Sequence, residues 1–370
     1  MKPELIETAG MMDDLLERLS NVTLIAVDTE FFRETTYYPQ LALVQVATDS
    51  IVACIDPLAF EAREPLRKLL LDDDITKIFH SCSQDLEVLF YYLGEIPGAI
   101  YDTQIANALL TEHHQIGYAS LVENELGTVL DKSQTRTNWL QRPLTQKQLQ
   151  YAGDDVLYLY RLQHLLDEKL QQQGRKSWFE EESAKLLDDN KNFQVAEENL
   201  WRRVKGSTRL NRKQLAMVQG IAVWREKLAQ QKDRTRRKIM ADDIVISLAT
   251  TPPANVLAID QFIDRRYNFN SEEKQQLFEV ISESQQTPKG QCPDNQFNIL
   301  DNEQKSTLKK LQKIVNEKAQ ELGISAAVLG SRKELEQLIL AHSQAGTSDL
   351  NIVQGWRLRC VGQQLIDNMK

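Results

Sequence analysis

Hydrophobic positions along the first hundred residues alternate between two periods. Three short runs, TLIAVDTE at 23–30, LALVQVAT at 41–48 and IVACID at 51–56, are apolar and rich in β-branched residues, which predicts strands. Asp49-Ser50 supplies a tight turn between the second and third, so the three are expected to form an antiparallel meander. The pattern then changes. EAREPLRKLLLD at 61–72 has helical spacing, ITKIFHS at 75–81 reads as a further strand, and SQDLEVLFYYLG at 83–94 reads as a helix capped by Ser83 and ended by Gly94. Strands in succession followed by strand-helix units imply a mixed sheet flanked by helices.

From Asp102 onward strand signals largely vanish. DTQIANALL, YASLVENELG and the long stretch TQKQLQYAGDDVLYLYRLQHLLDEKLQQQ at 145–173 are helical in pattern, the last with an expected break near Gly153. After Leu200 the pattern is helical almost throughout, and NRKQLAMVQGIAVWREKLAQQ at 211–231 is its clearest amphipathic segment. TTPPANV at 250–256 and TPKGQCPDNQ at 287–296 read as loops. The second of them separates two helical pieces of similar length, which could be diverged copies of one module.

Composition adds few surprises until charge is split by position. The 370 residues are 42% hydrophobic and 26% charged, and no run approaches the roughly 20 apolar residues of a membrane helix. The first residues, MKPELIETAGMMDDLLERL, lack the basic head and apolar middle of a secretory signal, so a cytoplasmic protein without membrane contact is expected. Cys54, Cys82, Cys292 and Cys360 are scattered, with no C-x-x-C pair to suggest a zinc ribbon or a disulfide framework. The net charge of −9 conceals an asymmetry: residues 1–200 carry 17 basic against 34 acidic side chains, and the remainder 27 against 19. Between Trp201 and Met240 alone, 13 basic residues accompany only Glu226 and Asp233. Such asymmetry points to a polyanionic partner, although a solvated helix face accounts for charge alone equally well.

The candidate chemistry begins in the first strand. Asp28 and Glu30 share one face of it because side chains repeat every two residues. Two like charges on one face call for a cation, and hard divalent ions such as Mg²⁺ favour carboxylate oxygen. A lone D-x-E is more often a solvated strand end. Asp85 repeats the setting at the start of a helix, where a carboxylate also suits the helix dipole. Tyr151 and Asp155, four residues apart, stack on one helix face, so that the phenol could orient a water beside a metal-binding carboxylate. Asp154 is the neighbouring alternative. Asp102 reads as a helix N-cap, and His80, His113 and His114 lack the spacing of a zinc site. Phe31, Phe32, Tyr37 and Tyr38 are candidates for stacking on a nucleobase as well as for ordinary packing.

Together these segments resemble the DEDD exonuclease superfamily. VDTEFFRETTYYPQLALVQVA is similar to its first motif, KIFHSCSQDLEVL to its second, and NWLQRPLTQKQLQYAGDDVLYL to its third. The third has the Tyr-x-x-x-Asp form of the DEDDy branch, whereas the sister branch would place a His where Gln150 stands. Within that branch the chain is similar to bacterial ribonuclease D. The two C-terminal pieces resemble HRDC domains, helical nucleic-acid-binding modules, with Thr235 standing where that pattern commonly has proline.

The resemblance implies a ribonuclease H-like α/β exonuclease domain at 1–200 and two all-α HRDC-like domains at 205–287 and 295–370. It implies that Asp28, Glu30, Asp85 and Asp155 bind two divalent ions, Mg²⁺ or Mn²⁺, with Asp28 bridging them and Asp155 preferred to Asp154. Tyr151 would orient or deprotonate the attacking water. The implied activity is 3′-5′ exoribonuclease trimming of RNA with an unpaired 3′ end, chiefly transfer RNA precursors, by a monomer that releases nucleoside 5′-monophosphates. Arg234, Arg236, Arg237 and Lys238 are expected to hold phosphate. The rival readings are a DNA-directed exonuclease and an inactive RNA-binding scaffold.

Overall fold

The computed structural model describes residues 1–131, 133–134, 137–187, 193, 195–264, 267–294, 300–343 and 350–369. The chain divides into two compact units, one of Met1–Phe32, Leu41–Asp189 and Leu300–Lys370, the other of Arg33–Gln40 and Asn190–Ile299.

The first unit is built on a mixed six-stranded sheet in the order β1-β4-β3-β2-β5-β6. The strands are β1 (Glu4–Ile6), β2 (Leu24–Phe32), β3 (Gln40–Ala47), β4 (Val52–Ile55), β5 (Thr76–Phe79) and β6 (Ile100–Asp102). Strands β3 and β4 pair antiparallel across the expected turn, where the Thr48 hydroxyl accepts from the N–H groups of Ser50 and Ile51. Parallel pairs β1/β4, β2/β5 and β5/β6 complete the sheet. Strand β2 is therefore interior, and Ile25, Ala26 and Val27 are fully buried. A strand buried on both faces reads as a continuous apolar run, as this one does up to Asp28.

The helices of this unit are α1 (Ala9–Arg18), α2 (Arg63–Leu70), α3 (Ser83–Leu93), α4 (Thr103–Ala108), α5 (Tyr118–Leu126), α6 (Gln146–Gln172) and α7 (Lys176–Leu187). Gly94 ends α3 with φ +87°, as its position suggested. Helix α6 is not broken at Gly153. It runs 27 residues without interruption, and the glycine lies where a Cβ would collide with the Pro3 ring and press on Val52. The glycine serves close packing of α6 on the sheet edge, a tertiary demand that outweighs its poor helix propensity. Thr145 and Gln148 form a capping box at the start of α6, a device contributing about 1 kcal/mol. In front of it, Arg142 grips the buried Asp56 with two nitrogens and donates to the carbonyls of Ala42 and Trp139. The entry of α6, and hence the register of Tyr151 and Asp155, is pinned from both sides.

The described residues between 300 and 369 are mainly helical, with helices at Asn302–Leu322 and Arg332–Ser343. They share one apolar core with α4, α6 and α7. Trp178 of α7 stacks on Trp356 at 4.5 Å, Arg357 pairs with Glu182, and Arg175 donates to both Leu109 O and Leu322 O. The start of the expected third domain, residues 295–299, lies outside the described residues.

The second unit has its own core, centred on the helix Arg212–Gln231 and closed by the helices Asp242–Thr250 and Ser271–Gln286. Among the described residues no helix is long and apolar enough to cross a membrane.

Candidate active site

The carboxyl end of β2 and the second and third turns of α6 converge on a cavity of about 400 Å³, whose lining does not include Asp85. Asp28, Glu30, Tyr151 and Asp155 line it. One carboxylate oxygen from each of Asp28, Glu30 and Asp155 lies within 4.8 Å of the others, with all three groups half-buried. At that spacing two anions repel by about 3–4 kcal/mol in a medium of effective dielectric near 20. Three bare anions there would be strongly disfavoured. The electrostatics answer by raising proton affinity: burial and then Asp155 push Asp28 up to about 8. Burial and then Asp28, Asp155 and Asp85 push Glu30 up to about 10. Burial pushes Asp155 up to about 7, against the hydrogen bond that Tyr151 donates to it.

Asp85 stands differently. It is buried, and its Oδ1 accepts the Thr29 hydroxyl at 2.5 Å. Burial and then Asp28 hold its carboxyl well above the usual range, against that hydrogen bond. Asp28 is thus in electrostatic contact with each of the other three carboxylates. Asp154 does not join the cluster. Its carboxylate accepts from Gln150 and its carbonyl from the Tyr118 hydroxyl.

A cavity with three convergent, mutually repelling oxygen donors fits hard divalent cations, which neutralise the repulsion and take oxygen ligands. Among the described residues its lining holds one imidazole, His80, and no thiol, which is not the nitrogen and sulfur set that zinc prefers.

Several residues of the cavity escape a reading of the sequence. His80 and Tyr118 line it beside the carboxylates. His80 is bound on both ring nitrogens, Nδ1 to Thr103 Oγ1 and Nε2 to Ile116 O, and burial lowers its pKa. Burial, followed by Asp155, Asp28 and Asp154, holds the Tyr118 phenol well above its usual range. Nothing in local spacing marks either residue: His80 follows the end of β5 and Tyr118 opens α5, and tertiary packing brings both to the cavity.

Two expectations about α3 and the aromatic residues need correction. Ser83 does not cap α3: the helix starts at Ser83, and its N-cap, Cys82, makes no side-chain capping bond. The turn is held instead by Asp102, from another strand. Tyr37 is buried in the second unit, where its hydroxyl donates to Glu226, and is not available to stack on a base.

The four basic residues of the second unit are not alike. Arg234, Arg237 and Lys238 are exposed. Arg236 is half-buried and engaged, with Nε and Nη2 on the two oxygens of Glu226 and the guanidinium over the Tyr37 ring. Burial alone would raise Glu226, but Arg236 and Tyr37 hold its carboxyl below the usual range. That ion pair removes Arg236 from the set free to meet phosphate.

Comparison with known proteins covers the whole chain. A family model described as 3′-5′ exonuclease matches residues 3–171, and one described as ribonuclease D, C-terminal HRDC domain, matches residues 303–365. The chain is 34% identical to ribonuclease D of Desulfotalea psychrophila over 367 residues, covering 96% of each. It is 31% identical to ribonuclease D of Escherichia coli over 372 residues, covering 99% of this chain and 98% of that one. The crystal structure of Escherichia coli RNase D superposes with a TM-score of 0.89 at 30% identity, over 100% of this chain and 99% of that one.

Proposed function

The chain belongs to the ribonuclease D family and is a metal-dependent 3′-5′ exoribonuclease; from that premise we propose that Asp28, Glu30, Asp85 and Asp155 hold two divalent ions, Mg²⁺ or Mn²⁺. The observation that carries this reading is the convergence of three carboxylate oxygens within 4.8 Å in the cavity that Tyr151 also lines. Asp28 would be one of the residues holding the ions, and its charge is coupled to those of the other three carboxylates. Divalent ions held there supply Lewis-acid stabilisation to the attacking and leaving oxygens of the scissile phosphodiester.

The protein's own groups do the rest. Tyr151 Oη, which donates a hydrogen bond to Asp155, orients the attacking water, and it could take up the water's proton only as the phenolate. Attack in line with the 3′ oxygen of the penultimate nucleotide releases a nucleoside 5′-monophosphate. The cavity, at about 400 Å³, has room for one terminal nucleotide rather than a duplex end. We extend the reading to transfer RNA precursors as substrates, to a monomer and to the cytoplasm. The description of the Escherichia coli relative as an exoribonuclease involved in structured RNA processing supports the first of these. We likewise divide the chain at 1–200, 205–287 and 295–370, the last two as HRDC-like modules.

The test uses matched RNA and DNA, each with a 3′ overhang or a blunt end, incubated with the protein in Mg²⁺, Mn²⁺ or EDTA. Stepwise release of 5′-mononucleotides from overhanging RNA, stopped by EDTA, is the expected result. Equal digestion of DNA would favour the DNA-directed reading, and retained binding without release in either metal would favour the scaffold.

The basic segment yields a separate expectation. Replacing Arg234, Arg237 and Lys238 with Gln should weaken single-stranded RNA binding. It should also reduce the slope of log K against log salt by about 0.7 for each phosphate that is no longer neutralised. Arg236→Gln should instead lower the melting temperature, because it strands the partly buried Glu226. A salt slope unchanged in the triple variant would remove the phosphate role.

A further inference from the structure

Asp102 lies outside the catalytic cavity, yet it is 3% exposed and its carboxylate is saturated with donors. Oδ1 accepts from the N–H groups of Gln104 at 2.8 Å and Ile105 at 3.3 Å, which caps α4 in the ordinary way. The same oxygen accepts from Ser81 N–H at 3.1 Å, and Oδ2 accepts from Cys82 N–H at 2.9 Å. These two belong to the turn between β5 and α3, some twenty residues earlier in the chain. Helix α3 has no side-chain cap of its own. Ser81 moreover has φ +60°, a left-handed conformation that a residue with a Cβ adopts only when the surroundings hold it there. Thr103, the next residue, binds His80 Nδ1 and donates to Phe79 O, so four consecutive residues of β5 and its turn are tied to the Asp102-Thr103 pair.

What this turn delivers is Asp85, the third residue of α3. Its carboxylate is fixed at the far end by Thr29. The placement of Asp85 therefore depends on two supports, the Thr29 hydroxyl at the side chain and the Asp102 carboxylate at the backbone. We propose that Asp102 is a positioning residue for the hydrolysis, setting the β5–α3 turn so that Asp85 meets the metal site. The inference rests on the reading of Asp85 as a metal-binding group.

Two substitutions separate this role from helix capping. Asp102→Asn keeps one oxygen for Ser81, Gln104 and Ile105 but turns an NH₂ donor against the Cys82 N–H. Asp102→Ser keeps a good N-cap for α4, while its shorter side chain cannot reach the turn. Mn²⁺ binding to the substrate-free protein is measured by calorimetry for both, beside Asp85→Asn and the wild type, with melting temperatures in EDTA and activity across Mg²⁺ concentrations. Both Asp102 variants should bind Mn²⁺ about tenfold or more weakly, as loss of a group that orients a metal ligand does. Both should still fold, with melting temperatures lowered by the N–H groups each strands in the turn, and their rate should recover toward wild type at high metal.

A lowered melting temperature with an unchanged Mn²⁺ isotherm would overturn the inference, leaving Asp102 a helix cap only. Failure of both variants to fold would overturn it too, assigning Asp102 to overall stability. If Asp85→Asn weakens Mn²⁺ binding and the Asp102 variants do not, the positioning role fails alone. Unchanged binding in Asp85→Asn shows that the reading of Asp85 has failed, and the inference with it.

Discussion

Asp28→Asn should abolish RNA hydrolysis and at the same time make the metal-free protein more stable. The two effects have one cause. Asp28 is coupled by charge to Asp85, Glu30 and Asp155, as Glu30 is to the other three, and its own charge is opposed by burial and by Asp155. Replacing it with the isosteric amide removes repulsion of about 3–4 kcal/mol per close pair before relaxation and protonation reduce the figure. In EDTA at pH 8 the variant should melt several degrees higher, at about 2–4 °C for each kcal/mol retained. The same substitution withdraws a charged group from the proposed metal site. Several kcal/mol of transition-state stabilisation lost there corresponds to a rate reduced by about three orders of magnitude or more. Calorimetric melting in EDTA and single-turnover hydrolysis in Mg²⁺ check both halves. A variant that loses activity but melts lower than wild type would show that Asp28 is chiefly a structural group.

That antagonism explains why the site was partly legible in the letters. A carboxylate pair at the end of an apolar run, Asp28 and Glu30, announces itself because water-exposed strand ends do not need a buried interior strand behind them. Tyr151 and Asp155 are similarly plain, since four residues is one helical turn and α6 preserves it. What stayed hidden is whatever depends on the order of strands. The short strands β1 and β6 have three residues each, too few for any period to show, yet β6 ends in Asp102 and so delivers the brace for the α3 turn. His80, just after β5, and Tyr118, at the start of α5, likewise enter the cavity through tertiary packing that no local period shows.

Charge was legible only as an average. The cluster at 234–238 is basic in composition, but whether a given guanidinium faces solvent depends on what folds beneath it. Arg236 lies ten residues from Glu226, across a turn that no helical spacing connects. Tyr37, from a segment nearly two hundred residues earlier, completes that pair. In the same way the continuity of α6 through Gly153 follows from the approach of Pro3 and Val52, neither of which is near in sequence. Local propensity argued for a break, and packing overruled it.

The metal-free protein should lose stability as pH rises from about 6 to 9, and Mg²⁺ should cancel that loss. Glu30, Asp28 and Asp155 have folded-state pKa values near 10, 8 and 7, all raised by burial first and, at Asp28 and Glu30, also by neighbouring cluster carboxylates. In the unfolded chain they titrate near 4. A group whose folded pKa is raised contributes stability that is complete below its unfolded pKa and disappears as pH climbs through the folded value. Over this window the folded state holds protons that the unfolded state has released, at about 1.4 kcal/mol per pH unit for each extra proton. Bound cations replace those protons, so the rise in melting temperature on adding Mg²⁺ should be small at pH 6 and large at pH 9. Hydrolysis should increase over the same range, because only the deprotonated carboxylates serve as ligands. Other groups titrate here as well, and the difference between wild type and Asp28→Asn isolates the cluster. In EDTA that difference should widen with pH in favour of the variant. If the two proteins instead respond in parallel to pH, the carboxylates do not share protons in the metal-free state, and the cation is not what holds the cluster together.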